Sequence, residues 1–206
     1  MNNSEDIIKK VREIGLQQLE LIDLQSADVE KWKSWLMQYQ FNDQYLDDGY
    51  AWLTSVLALV AIDTGNFGVG AILVDGDACL VCYAHNEVFN PYFRSDRHAE
   101  MAVMDKFENT HRELTKLEGY SLYTSLESCP MCLSRLITSG IKRVLYVAPD
   151  VTGGMVHKMK DLPPIWIELA KRQTFTQAKC SDELINAANQ VFLLNVDELN
   201  TRLKTR

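Results

Sequence analysis

Two short stretches constrain this chain more than anything else in it: His98-Ala99-Glu100 and Cys129-Pro130-Met131-Cys132. If His98, Cys129 and Cys132 serve one ion, segments that start 31 positions apart must fold side by side. One imidazole and two thiolates leave a tetrahedral zinc one ligand short, and a catalytic zinc keeps that position for water. Cys129 and Cys132 stand three apart, so in the first turn of a helix opened by Pro130 they face the same way. The free N–H groups there favour thiolate over thiol. Such a zinc lowers the pKa of its water to about 7. Glu100, two residues from a ligand, is placed to carry the proton that this water loses. One Zn2+ per chain is expected.

A second Cys-x-x-Cys, Cys79 and Cys82, opens the alternative of a structural four-cysteine site. It falls on an expected strand, where residues three apart point to opposite faces. Cys79, Cys82 and Cys180 are therefore read as core or surface thiols. Five cysteines are an odd number for a disulfide framework, and two carry metal spacing, so a reducing compartment is expected. A purely structural zinc site needs no carboxylate proton carrier, and Glu100 argues for chemistry over scaffolding.

Periodicity supplies the frame around these motifs. Ile7, Ile8, Val11, Ile14, Leu19 and Ile22 recur at three- and four-residue spacing, which predicts a helix within residues 4–24. A second helix is expected after Ser26 as N-cap, with the stripe Val29, Trp32, Leu36 and Tyr39. Both stripes read as packing surface. Residues 1–43 are taken as a helical N-terminal extension, and residues 44–206 as the unit that carries the chemistry.

Trp52 to Ile62 predicts a buried helix that ends where Gly65 can turn left-handed. Val69–Val74 and Cys79–Ala84 predict a hairpin, with Asp75-Gly76 as a two-residue turn. A loop over 85–97 leads into the His98 helix, whose inner side is Met101, Ala102, Met104 and Phe107. Strand Ser121–Leu126, helix Pro130–Thr138 closed by Gly140, and strand Ile141–Val147 follow. Gln173–Ala178 and Ser181–Leu194 complete the pattern as a last strand and a last helix. Strand, helix, strand implies parallel crossovers. The expected fold is a three-layer α/β/α sandwich with a mixed central sheet, preceded by the helical extension.

A His-x-Glu followed by a Cys-x-x-Cys, in this order of elements over roughly Tyr45 to Phe192, resembles the zinc-dependent deaminases of the cytidine deaminase superfamily. The resemblance implies hydrolysis of an amino group from a nucleobase, by a zinc-bound hydroxide with Glu100 as proton shuttle. It implies zinc on His98, Cys129 and Cys132, substrate recognition by Asn86, and a service to substrate from the backbone at Ala99 and Glu100. It also implies a homodimer, with which Trp32, Trp35 and the Met101-Met104 face are compatible.

Asn66-Phe67-Gly68 and Leu122-Tyr123-Thr124-Ser125 look like guanine deaminases, which would let Phe67 stack on a base. The Pro163-Pro164-Ile165-Trp166 tail offers Trp166 either as a pocket wall or as simple packing. Ser128 stands where the family usually has Pro and is expected to cap the helix. Arg94 and Arg97 before His98 either bind a substrate phosphate or pair with Asp96 and Glu87.

The leading expectation is deamination of a free base or nucleoside, guanine or a guanine nucleoside first. A tRNA adenosine deaminase and a (deoxy)cytidine or deoxycytidylate deaminase are the enzyme alternatives, and a zinc-stabilised nucleotide-sensing scaffold is the non-enzyme one. The formal net charge of −7 argues against broad attraction to nucleic acid, though it leaves tRNA open. The start of the chain has neither the basic nor the apolar region of a signal peptide. The longest apolar stretch, Ala51 to Ile62, is too short to span a membrane. A cytoplasmic protein with a small-molecule substrate is expected.

Overall fold

A computed structural model describes residues 3–206. Three helices come first: α1 (Asn3–Glu20), α2 (Ala27–Gln38) and α3 (Asp48–Asp63). Helix α3 is buried around nearly its whole circumference, which is why it reads as apolar on every side. One flank lies on the sheet and the other is covered by α1 and α2. Trp52 locks the three together, since its Nε1 donates to the Leu36 carbonyl of α2 at 2.9 Å. Its ring lies against Gly15 of α1, where a Cβ would stand 2.2 Å from Trp52 Cζ3. Alanine at position 15 gains about 1 kcal/mol of helix propensity, whereas overpacking a closed contact costs about 1–3 kcal/mol. Gly15→Ala is therefore expected to lower the midpoint of urea unfolding.

The polar stretch before α3 is structural. Asp48 is buried and accepts from Tyr39 Oη, Asn42 N and Ser181 N. Asp47 accepts from Tyr123 Oη at 2.8 Å and Lys179 N at 2.7 Å. These bonds hold the N-terminal helices to the far end of the chain, and Val11, Leu19, Val29 and Leu36 share one core with the sheet.

The sheet has the order β2-β1-β3-β4-β5. Its strands are β1 (Gly70–Val74), β2 (Leu80–His85), β3 (Ser121–Leu126), β4 (Arg143–Ala148) and β5 (Thr174–Gln177). Strand β1 is antiparallel to β2 and β3, while β3, β4 and β5 run parallel, so the sheet is mixed as expected. Helix α3 packs on β1, β2 and β3, and α7 (Asp182–Leu193) on β3 and β4. The other face carries α4 (Ala99–Thr110), which packs on β1 and β2 and touches α5 (Pro130–Ser139). Helix α6 (Pro164–Ala170) packs on α5, and α8 (Val196–Lys204) follows α7. Together these layers form the α/β/α sandwich. Among the described residues no helix is long and apolar enough to cross a membrane.

Several local expectations change. The hairpin loop runs from Asp75 to Cys79, because Asp75 Oδ1 accepts from both Asp77 N and Cys79 N and Ala78 takes φ 65°. A bulge between Leu73 and Val74 accompanies it. Ser26 holds the N-cap position of α2 without a side-chain cap bond, whereas Ser181 caps α7 by accepting from Leu184 N. Trp32 and Met104, read as compatible with a dimer face, are buried in the core.

Candidate active site

His98 and Cys129 occupy equivalent places, the N-cap positions of α4 and α5, and neither side chain caps its helix. They turn toward each other instead, with Cys129 Sγ 3.5 Å from His98 Nδ1. Cys132, one turn into α5, is fully buried, and the three ligating atoms lie within 4.8 Å of one another. Tetrahedral zinc with Zn–S of about 2.3 Å and Zn–N of about 2.0 Å has edges of about 3.5–3.8 Å. The donor set and its spacing fit that ion. Among the described residues this is the one group of three such side chains close enough to share a metal. Cys79 and Cys82 take no part, their sulfurs lying against the Asp77 and Val103 carbonyls.

The electrostatics suit a cation. Cys129 is drawn down to about 4, first by the neighbouring Cys132 thiol, against burial, and then by His98. Cys132 is pushed well up by its contact with Cys129 and by burial. Burial lowers His98, but the Cys129 sulfur more than offsets this and leaves it raised. Glu100 is fully buried, and desolvation, with the Cys129 charge, raises its carboxyl. Its Oε1 accepts from Ser128 Oγ at 2.9 Å, and its Oε2 lies 3.4 Å from Cys132 Sγ. Ser128 therefore anchors Glu100, and Cys129 takes the N-cap place expected of Ser128.

A network of ion pairs holds the two helix starts in place. Arg97 bonds Glu87 and, at 2.9 Å, Asp105 of α4. Arg135 of α5 reaches the other Asp105 oxygen at 2.7 Å and Glu108 at 2.8 Å. Arg94 pairs with Asp96 at 2.5 Å. Both arginines before His98 thus take the paired arrangement over the phosphate-binding one.

His98, Glu100 and Cys129 line a cavity of about 250 Å³ together with Phe67 and Asn86. Asn86 is buried, its Oδ1 accepts from Val88 N, and its amide nitrogen has no protein partner among the described residues. Phe67 packs against Phe89 with ring centroids 5.8 Å apart. Ala99 is buried beside the cavity and contributes no side chain to its wall. Tyr123 and Ser125 turn away from the cavity, Tyr123 to Asp47 and Ser125 to Gly70 N. Trp166 packs against the Leu133, Ile137 and Ala170 cluster and does not line this cavity, in keeping with the packing reading.

Half of the wall comes from residues that the sequence reading passed over. Glu127, at the end of β3, is buried and spends both oxygens: Oε1 on His157 N and Nδ1, Oε2 on Asp150 N. This fastens the 149–157 loop, from which Asp150, Thr152 and Gly153 line the cavity. Asp150 Oδ1 in turn accepts from Thr152 N, Thr152 Oγ1 and Gly153 N. Phe192 of α7 and Val196, Asn200 and Leu203 of α8 close the other side. The i, i+4, i+7 spacing of the last three was the signal available for α8.

Sheet, crossover helices and a His/Cys/Cys group at two helix N-termini place the chain in the class of α/β/α zinc-site proteins. The sequence model of the cytidine and deoxycytidylate deaminase zinc-binding region matches residues 50–148. The tRNA-specific adenosine deaminase of Bacillus subtilis is 39% identical over 98 residues, which make up 46% of this chain and 56% of that protein. The protein of the same name from Rickettsia felis is 31% identical over 101 residues, 47% of this chain and 67% of that protein. The guanine deaminase structure from Nitrosomonas europaea shares the fold, with a TM-score of 0.55 over 83% of this chain and 94% of that one, at 16% identity. The chain belongs to the cytidine and deoxycytidylate deaminase family, and its metal is zinc. It spans a little over half the length of the Bacillus subtilis relative.

Proposed function

We propose that this chain hydrolyses the amino group from a free nucleobase or nucleoside, guanine or a guanine nucleoside first, and releases ammonia. The observation that supports this reading is the anchored Glu100 carboxylate on one cavity wall with His98 and Cys129, beside the buried third donor Cys132. His98, Cys129 and Cys132 hold the zinc, which when bound makes water acidic enough to lose a proton near pH 7. Glu100 takes that proton and passes it to a ring nitrogen as oxygen adds at the amino-bearing carbon. As the C–N bond breaks and a carbonyl forms, Glu100 delivers the second proton to the departing amine. Ser128 fixes Oε1, which leaves Oε2 to do the carrying.

The other roles follow from the wall. Asn86 Nδ2 donates to the base edge or a ribose oxygen, Phe67 stacks on the ring, and the Ala99 N–H at the start of α4 supports a developing negative charge. The cavity volume of about 250 Å³ favours a small molecule, since sites for drug-sized ligands run to roughly 300–1,000 Å³. The formal charge of −7 points the same way.

Adenosine in tRNA is the second reading, favoured by the name of the relative that shares 39% identity. A panel of guanine, guanosine, deoxyguanosine, cytosine, cytidine, deoxycytidylate, adenine, adenosine and tRNA, assayed for ammonia with and without a chelator, separates the two. Chelator-sensitive release from a guanine compound is the expected result. Release from tRNA alone, with a salt-dependent gel shift, selects the second reading. Silence across the panel with zinc bound moves the weight to a substrate outside the panel or to a zinc-stabilised scaffold.

A further inference from the structure

Helix α8 presents Val196, Asn200 and Leu203 to the cavity, one face of a helix that is held at both ends. Asn195 Nδ2 donates to the Asn66 carbonyl at 2.8 Å, Leu199 is buried, and Arg202 and Arg206 lie over the rings of Phe89 and Phe93 at 4.1 and 3.3 Å. Phe89 packs on Phe67, so the helix is braced against an aromatic group that itself lines the cavity. The face is therefore a fixed wall.

Two apolar neighbours flank one amide on that wall. Elsewhere on the cavity Glu127 is committed through both oxygens and Asp150 through Oδ1, and Asn86 keeps only its amide nitrogen free. Asn200 is half-buried, and neither of its amide atoms has a hydrogen-bond partner among the described residues. An amide is the side chain that offers a donor and an acceptor side by side. Between apolar neighbours its unspent capacity favours a ligand that satisfies both.

We propose that Asn200 is a specificity residue, and that it reads an adjacent donor–acceptor pair on a heteroaromatic base, apart from the amino-bearing carbon that reacts. On a guanine ring that pair is the N1–H and O6 edge. This inference rests on the base-deaminase reading, and it concerns binding, so equilibrium affinity tests it without turnover.

The probes are guanine and 2-aminopurine, which carries the same amino group and lacks the N1–H and O6 pair. Their dissociation constants are measured by calorimetry on the zinc-loaded full chain carrying Glu100→Gln, with Asn200 intact or changed to Leu. Losing a pair of hydrogen bonds is expected to weaken guanine about tenfold or more, and 2-aminopurine less than threefold. Asn200→Asp, which keeps an acceptor and loses the donor, should likewise weaken guanine while matching the parent in thermal melting. Equal affinities with and without the amide, equal losses for both probes, or no binding of either would overturn the proposal. Ammonia release by the unmodified chain is scored separately, so binding without turnover sinks the reaction and leaves the Asn200 assignment standing.

Discussion

Glu100→Gln is expected to cut ammonia release by about 10²–10⁴-fold, the span that a positioned proton carrier contributes, while zinc stays bound. The variant suits the site because the amide oxygen can still accept from Ser128 Oγ, so the side chain keeps its anchor. What it loses is the ability to take a proton and give it back. His98, Cys129 and Cys132 remain as they were, and metal content by atomic absorption should match the parent. A variant that keeps turnover within a few-fold of the parent would remove Glu100 from the mechanism and leave the cluster structural.

Metal binding itself should depend steeply on pH, with a sign that the metal-free site fixes. Cys129, near 4, is already thiolate at neutral pH. Cys132, raised by its sulfur neighbour and by burial, still holds its proton there. Binding zinc must displace that proton, so apparent affinity should rise about tenfold per pH unit around neutrality. His98 is also raised, and at pH values where it is protonated a second proton must leave, so the slope should approach two. Competition with a chelating dye from pH 5.5 to 8 reads both slopes, and a flat profile would contradict the assigned protonation states. Cys132→Ser should weaken zinc by more than the roughly 10–100-fold that losing an outer partner costs. Stripping the metal should lower the melting temperature, since a ligand at 100 times its dissociation constant stabilises by about 2.7 kcal/mol.

The motifs and most of the frame were legible because they are local. Strand β3 falls on Ser121–Leu126 and α5 starts at Pro130, since alternation and helix-start chemistry are written in consecutive residues. The metal group was legible because its spacing is chemical. The hairpin turn misled because Asp75-Gly76 signals a short loop, and Asp75's own side chain built a longer one.

The cavity wall was least legible. Glu127 matters through His157, thirty positions on, and Asn200 through its place opposite residues more than a hundred positions earlier. Such juxtapositions are products of the tertiary fold: the spacing of Val196, Asn200 and Leu203 marks one face of a helix and says nothing of what that face meets. Ser128 shows the same limit at short range: next to Cys129 it looks like a cap, and only the approach of α4 gives its hydroxyl to Glu100.

The closed circumference of α3 has a bearing on how the chain behaves among other molecules. Residues 50–148, the part matched to the deaminase family, begin inside that helix and exclude the two helices that cover it. Without such cover, Trp52 and the outward apolar side chains of α3 would be open to solvent and to one another, a surface prone to self-association. The leading helices thus act as an internal chaperone for α3, covering the flank that the sheet leaves open and keeping its apolar side chains from other chains.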